Sequence, residues 1–254
     1  MTDRIFRWLR PWWFPVIVLG GFEWYARTVG KSSDAIAPPS AAVRAFITAV
    51  GDGSLLGATA FTLGAAALGL LLAAILGIAS GIALGLSRRA ARTAFFSIEV
   101  FRPVPSVALI PLAMLVFGFG LQMEFSIVAF AAFWPLLILT QAAVRQVEPR
   151  LFEVSHVLGL SPAQRAFKII LPAIIPRLFV ALRLGVAVAL VVAVTVEVAA
   201  NPNGMGYAMM IAQQSLDPAL MLAWLGWIGV VGFVINAAAV WLQRTVARRM
   251  GVQP

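Results

Sequence analysis

The chain carries few side chains that could do chemistry, and their spacing does not assemble them into a reactive group. It has one histidine, His156, and no cysteine, which excludes a thiolate or multi-histidine metal site. His156 stands alone in a loop, without the nucleophile–base pair that a membrane enzyme would need. We therefore expect no catalytic residue and no metal ligand in this chain.

Three acids interrupt long apolar stretches, where ionisable groups normally mark function. They are Glu23, Glu124 and Glu197. Glu197 is expected either to line a pathway or to make a structural hydrogen bond near the end of a span. Glu124, near the outer edge, is a second pathway candidate, whereas Glu23 is expected to be structural.

The elements that position these residues are membrane helices. Of the 254 residues 61% are hydrophobic and 11% are charged, compared with about 25% charged in an ordinary soluble domain. A helix needs roughly 20 apolar residues to cross the hydrocarbon layer. This pattern predicts an all-α polytopic membrane protein, with residues 1–254 forming one domain of six spans: 11–28, 55–86, 100–120, 124–144, 178–200 and 218–243.

The distribution of positive charge orients these spans. With both termini in the cytoplasm, 16 of the 19 Lys and Arg residues lie on the inner side, as the positive-inside rule requires. The other three are Arg27, Lys31 and Arg44, whereas the chain begins with the inner cations Arg4, Arg7 and Arg10. We expect a multi-pass protein of the bacterial cytoplasmic (inner) membrane, in contact with lipid. Because topology explains the net charge of +9, no nucleic-acid partner is expected.

Three glycines of the second span recur four residues apart. Gly77, Gly81 and Gly85 therefore share one face of a helix. Small residues let membrane helices approach closely, and packing replaces the hydrophobic drive that lipid removes. The face is expected to serve packing within one subunit, with dimerisation of subunits as the alternative.

The third predicted span contains three prolines, Pro103, Pro105 and Pro111. Proline removes a backbone donor and kinks or breaks a helix. In membranes such breaks survive only where protein or a wet cavity covers them. The span is either a pathway-lining helix or a simply kinked one.

The longest inner loop, 145–177, is predicted to form two short helices. Pro149 suits the first turn of the first helix, and Gly159 suits its left-handed C-terminal cap. Ser161 and Gln164 then form a capping box at the start of the second helix.

An apolar face on the first of these helices needs a partner outside the bilayer. Leu151, Val154 and Leu158 share this face at helical spacing. Either the chain's own bundle or another protein could cover it. Pro172 is expected to end the second helix.

This loop resembles the signature loop of binding-protein-dependent ABC importer permeases. The family pattern is Glu-Ala-Ala, three residues, Gly, nine residues and Ile-x-Leu-Pro. The matching positions here are Glu153, Gly159, Ile169, Leu171 and Pro172, while Val154 and Ser155 replace the two alanines.

Further segments resemble the nitrate/sulfonate/taurine branch of that family, and this resemblance covers most of the chain. Residues 102–105 and 117–120 look like the Arg-Pro-x-Pro and Phe-Gly-x-Gly segments of the branch. Glu197, followed by residues 204–207, looks like its acid and Gly-Leu-Gly-Phe turn.

The resemblance implies the type I importer permease fold and assigns a role to the loop. It would be the coupling helix, residues 149–159, which docks into a groove on a separate ATPase subunit. The expected coupling residues are Leu151, Glu153, Val154, Leu158, Gly159 and Pro172. The partners implied are a second copy of the chain, two ATPase subunits and an external solute-binding protein.

ATP hydrolysis is expected to belong to the partner. Gly30-Lys31-Ser32 looks like the end of a phosphate-binding loop, but Tyr25 stands where that loop requires glycine. This chain is thus expected to be a non-catalytic permease without a cofactor, and ATP and Mg²⁺ would bind to the ATPase.

The solute is expected to be small and polar or anionic, resembling a sulfonate, taurine or nitrate. Alternatives are a pyrimidine or thiamine precursor and an aromatic acid, moved by the same machinery. An ion-driven transporter, an ABC exporter subunit and a membrane enzyme are rival functions. Because no Lys or Arg is predicted in the central part of the bundle, selectivity is expected to reside mainly in the external binding protein.

Overall fold

The computed structural model describes residues 13–30 and 35–250, and all regular structure in them is helical. The predicted inner cations Arg4, Arg7 and Arg10, and the loop residues Lys31 and Ser32, lie outside the described residues. In chain order the elements are α1 (Trp13–Thr28), α2 (Pro39–Gly51), α3 (Ser54–Leu86), α4 (Arg88–Phe101), a 3₁₀ turn (Ser106–Leu109), α5 (Ile110–Phe117), α6 (Leu121–Arg145), α7 (Pro149–Val157), α8 (Pro162–Arg165), a π-helical segment (Ala166–Ile170), α9 (Leu171–Ala199), α10 (Gly204–Gln214) and α11 (Pro218–Arg249).

Several of these helices have the length and composition of membrane spans. Within the described residues four qualify, namely α3, α6, the segment Ala163–Gln214 that contains α9, and α11. The pair formed by α4 and the segment Ser106–Phe117 adds a fifth if it is counted as one bent span. The all-α membrane class is confirmed, and the described residues supply four or five of the six predicted spans.

The centre of the bundle is the contact between α3 and α6. Gly77, Gly81 and Gly85 of α3 all face α6 of the same chain. A Cβ atom at Gly81 would lie 2.6 Å from Cβ of Thr140, and one at Gly85 would lie 2.5 Å from Cβ of Val144. The two backbones can approach this closely only because the side chains are missing.

Alanine at Gly81 is expected to destabilise the bundle, while alanine at Gly64 of the same helix is expected to stabilise it. The added methyl at position 81 must separate α3 from α6, an overpacking cost of about 1–3 kcal/mol. Nothing lies within 4 Å of a Cβ at Gly64, so that substitution gains only helix propensity. The measurement is the midpoint of detergent-induced unfolding of the purified chain. Equal midpoints for the two variants would contradict the packing role of Gly81.

Residues 87–99 connect the second and third predicted spans, and most of them belong to the helix α4. Its start is capped by Ser87, whose Oγ accepts a hydrogen bond from the Ala90 N–H at 3.2 Å. Arginines at one end and exposed phenylalanines Phe95 and Phe96 further along give α4 the character of a helix at a membrane boundary.

The predicted span 100–120 is interrupted rather than continuous. The chain leaves α4 at Phe101 and resumes helical structure at Ser106, with an angle of 82° between the two parts. The break therefore lies at Pro103 and Pro105. Pro111 falls within the first turn of α5, where a missing N–H needs no partner, so it does not kink the helix.

The prediction that Pro172 ends the second loop helix is wrong. The π-helical segment Ala166–Ile170 passes directly into α9, and the Leu171 N–H bonds to the Ala166 carbonyl five residues back. This wider turn lets Pro172 occupy the first turn of α9 without needing a donor. Regular helix therefore begins at Leu171, seven residues before the predicted span 178–200.

Candidate functional site

The loop between α6 and α9 holds the helix α7 in a fixed shape. This helix begins at Pro149, as predicted. It ends at Val157, and Gly159 follows with a φ of +62°, in the left-handed region that favours glycine. The Leu160 N–H then donates to the Ser155 carbonyl at 3.0 Å, which closes the C-terminal cap.

The predicted capping box at the start of α8 is confirmed. The Ser161 N–H donates to Oε1 of Gln164 at 3.0 Å, and the Gln164 N–H donates to Oγ of Ser161 at 3.3 Å. Two donors that the helix cannot satisfy internally thus find partners. The turn between α7 and α8 is fixed at both ends by local hydrogen bonds.

The predicted apolar face of α7 is divided between two environments. Leu151 is half-buried and packs with Phe152 against the bundle, in a cluster with Val144 and Ile170. Val154 and Leu158 instead are 48% and 64% exposed. The chain's own bundle therefore covers one part of the face, and the other part remains open to a partner.

Two exposed apolar residues in this loop were missed by sequence reasoning. Val157 is 88% exposed, and Phe167 in the π-helical segment is 71% exposed. Helical spacing from Val154 could have identified Val157. We call Val154, Val157 and Leu158 the coupling tip, and Glu153 and Gly159 are exposed beside it.

A second group of candidate residues meets inside the bundle. Glu124 of α6 and Glu197 of α9 are fully buried, together with Thr62 and Asn201; these four residues are called the buried polar cluster. Asn201 Nδ2 donates to Oε2 of Glu124. The structure thus brings together two pathway candidates that stand far apart in the sequence.

The start of α10 supplies the backbone donors of the cluster. The Gly206 N–H donates to Oε2 of Glu197 at 2.8 Å, and the Met205 N–H donates to Oγ1 of Thr62 at 3.0 Å. A Cβ atom at Gly206 would meet the Val194 carbonyl and the Glu197 side chain. Glycine is required here because the backbone itself must reach the carboxyl group.

One oxygen of each carboxyl group remains without a donor in the described part of the chain. It is Oε1 in both Glu124 and Glu197, and the two carboxyl groups contact each other. Two bare carboxylates held together away from water would repel strongly.

The break in the third predicted span borders a cavity of about 410 Å³. Arg102 and Ser106 line it from the two sides of the break, and Trp134 and Val188 line it from the middle of α6 and α9. Arg102 was counted among the 16 inner cations, but these neighbours place it beside the central part of the bundle. Pro103, by contrast, is exposed, as are Pro105 and Pro111.

Arg102 retains most of its hydrogen-bonding capacity. Its Nη1 forms one contact of 3.3 Å with Oε1 of Glu99, and its side chain is 48% exposed. A guanidinium group has five N–H donors, so several can still reach a ligand in the cavity. Sequence reasoning did not identify Arg102 as a pathway candidate, because the positive-inside rule already accounted for its charge.

Comparison with known proteins adds a family profile and relatives that match most of the chain. The profile described as "binding-protein-dependent transport system inner membrane component" matches residues 69–252. A putative aliphatic sulfonates transport permease protein of Bacillus subtilis is 30% identical, with 95% of this chain and 87% of the relative covered. The taurine transport system permease protein of Escherichia coli is also 30% identical, with coverage of 82% and 77%. A nitrate import permease protein of Leptolyngbya laminosa is 28% identical over 67% of this chain and 61% of its own length.

Solved structures show the same fold at low sequence identity. The MetNI methionine ABC transporter, in inward-facing conformations, matches with a TM-score of 0.68 at 20% identity. The match covers 76% of this chain and 96% of that chain. An amino acid ABC transporter matches with a TM-score of 0.63 and covers 80% and 98%.

Proposed function

The chain belongs to the binding-protein-dependent transport system inner membrane components, and from that premise we propose that two copies of it form the pathway of an importer for a small anion. It is the non-catalytic permease subunit of an ABC importer, a multi-pass inner-membrane protein. Its ATP and Mg²⁺ are bound by two separate ATPase subunits, and its solute arrives on an external binding protein. Six crossings with both termini in the cytoplasm fit the charge distribution.

The observation that carries this proposal is the coupling tip. Three large apolar side chains are exposed at a loop between two spans, on a short helix capped at Gly159. Exposed apolar groups of this kind mark protein interaction sites. The packing of Leu151 and Phe152 against the bundle transmits a displacement of the tip to α6 and α9. We assign the tip, with Glu153 beside it, to the ATPase contact.

The solute class is supported by the cavity at the break. Interrupted membrane helices typically form binding sites near the midplane of transporters. Here the cavity offers a guanidinium group from Arg102 and a hydroxyl group from Ser106, set among apolar walls. This chemistry suits a small anion such as a sulfonate, taurine, nitrate or bicarbonate, which the relatives are named for.

Reconstitution tests the proposed function. The chain is placed in proteoliposomes with its ATPase and binding-protein partners, and uptake of labelled taurine, an alkanesulfonate, nitrate and bicarbonate is measured. We expect uptake of one of these anions that requires ATP and both partners. Uptake driven by an ion gradient without ATP would contradict the proposal and favour a secondary transporter.

Glutamine in place of Arg102 is expected to lower uptake roughly 10-fold, because a hydrogen bond to a charged group contributes about 1.5–3 kcal/mol. The measurement is the initial rate at low solute concentration in the same proteoliposomes. Arg44→Gln is the matched control, since it removes the same charge from an exposed position on α2. Equal rates for the two variants would remove Arg102 from the pathway.

A further inference from the structure

One cavity lies at the inner ends of α3 and α6, beside the start of α4. Its volume is about 710 Å³. Three arginines line it, Arg88 and Arg92 from α4 and Arg145 from the end of α6, while Phe95 and Phe152 contribute apolar surface. Among the described residues that line it, none is acidic. The cavity is therefore basic and partly apolar.

None of these three arginines forms an ion pair with a described residue. The ion pairs there are Arg27 with Glu23 and Arg102 with Glu99, and no hydrogen bond of the three guanidinium groups to another described residue is formed. The three side chains are exposed, so water partly screens their mutual repulsion, and an anion placed between them would remove the rest. The lining thus calls for an anionic ligand.

The same three helices enclose a second cavity deeper in the bundle. It measures about 410 Å³ and is lined mainly by apolar side chains, among them Leu84 of α3, Ile98 of α4, and Trp134 and Leu137 of α6. Leu137 precedes Val144, which lines the basic cavity, by two turns, or about 10 Å along the helix. The apolar cavity is separate from the basic one but lies along the same three helices, on the side toward the middle of the membrane.

We propose that these two cavities bind one anionic phospholipid, with its phosphate headgroup among Arg88, Arg92 and Arg145 and an acyl chain along α4. Basic pockets between membrane helices on the cytoplasmic side suit such headgroups. The exposed Phe95 and Phe96 anchor α4 at the boundary of the bilayer. A free phosphate would use the arginines but leave the apolar cavity empty, so a lipid satisfies both. The site does not depend on which solute is transported.

The lipid site would also contact the coupling loop, because Phe152 of α7 lines the basic cavity. An acidic side chain of the ATPase subunit could approach the same arginines from the cytoplasm. The apolar cavity favours the lipid, since it extends away from the side on which a soluble partner docks. The experiment separates these two occupants.

The test compares two triple variants of the full-length chain purified in detergent with its ATPase partner. One variant carries Arg88→Gln, Arg92→Gln and Arg145→Gln. The other carries Arg89→Gln, Arg244→Gln and Arg248→Gln, which removes the same charge from exposed positions on the same side. Both variants lose three inner cations, so any change in membrane orientation caused by the lost charge should be the same in both.

Binding is measured by native mass spectrometry and by the thermal shift that added lipid produces. The lipids are dioleoyl phosphatidylglycerol and dioleoyl phosphatidylcholine, and inorganic phosphate and glycerol phosphate are the water-soluble probes. We expect phosphatidylglycerol to bind the wild type and the control variant with similar affinity. Its affinity for the cavity variant should be lower by roughly 10-fold or more.

Three results would overturn the proposal. Equal loss in both variants would indicate general surface charge rather than a site. If inorganic phosphate or glycerol phosphate raised the melting temperature as much as phosphatidylglycerol does, the arginines would form a site for a free anion. Loss of the ATPase from the cavity variant, with unchanged phosphatidylglycerol binding, would assign the arginines to the partner subunit.

Discussion

Replacing Gly159 by proline is expected to lower ATP-driven uptake roughly 100-fold while the chain still inserts into the membrane. Proline fixes φ near −65°, but the structure holds φ at +62° here. It also disfavours helical backbone at the preceding residue, Leu158, which belongs to the coupling tip. A cost on the order of 3 kcal/mol for keeping the native turn corresponds to this loss. Uptake and ATP turnover are measured together in proteoliposomes.

Gly159→Asn provides the control for this prediction. Asparagine enters the left-handed region more readily than other residues with a side chain, and a Cβ at Gly159 meets nothing within 4 Å. This variant should retain most of the wild-type uptake. If the proline variant transported as well as the asparagine variant, the shape of the loop would not matter for coupling.

Alanine at Gly206 is expected to prevent recovery of folded permease, the largest effect on stability that we expect. Its Cβ would collide with the Val194 carbonyl and the Glu197 side chain. Overpacking costs about 1–3 kcal/mol, and a buried carboxyl group that loses a donor costs about 1–3 kcal/mol more. The total is a large part of the 5–15 kcal/mol that typically stabilises a protein.

The matched control is Gly226→Ala in α11, where nothing lies within 4 Å of a Cβ. That substitution should leave the yield unchanged or raise it, since alanine favours helix over glycine. The fraction of membrane protein that elutes as a single monodisperse species is the measurement for both variants. A normal yield of Gly206→Ala would show that α10 can shift away without loss of the cluster.

The structure of the coupling loop could be predicted in detail because its determinants are local. Pro149, Gly159 and the pair Ser161–Gln164 act within three or four residues of themselves, so the sequence carries the whole signal. The environment of Leu151 could not be predicted in the same way. Two overlapping apolar faces exist on α7, and only the bundle decides which one it covers.

The buried polar cluster shows where sequence reasoning ends. Glu124 and Asn201 are 77 residues apart, and no local pattern pairs them. Glu197 was left between a pathway role and a structural hydrogen bond, and it makes the hydrogen bond to Gly206. Sequence reasoning could not say which proline breaks the third predicted span. The 82° bend falls at Pro103 and Pro105 but not at Pro111, which lies in the first turn of α5.

Because the π-helical segment passes directly into α9, this helix would act as a lever in the proposed importer. Its 29 residues give an arm of about 43 Å. Tilting the arm by roughly 5° about Ile170 would swing Ala199 sideways by about 4 Å, which is on the scale of a side chain. A small displacement at the end of α9 next to the coupling loop would thus be larger at the other end, where Glu197 is hydrogen-bonded to the start of α10. The length of α9 would then set the amplitude of gating in the proposed importer.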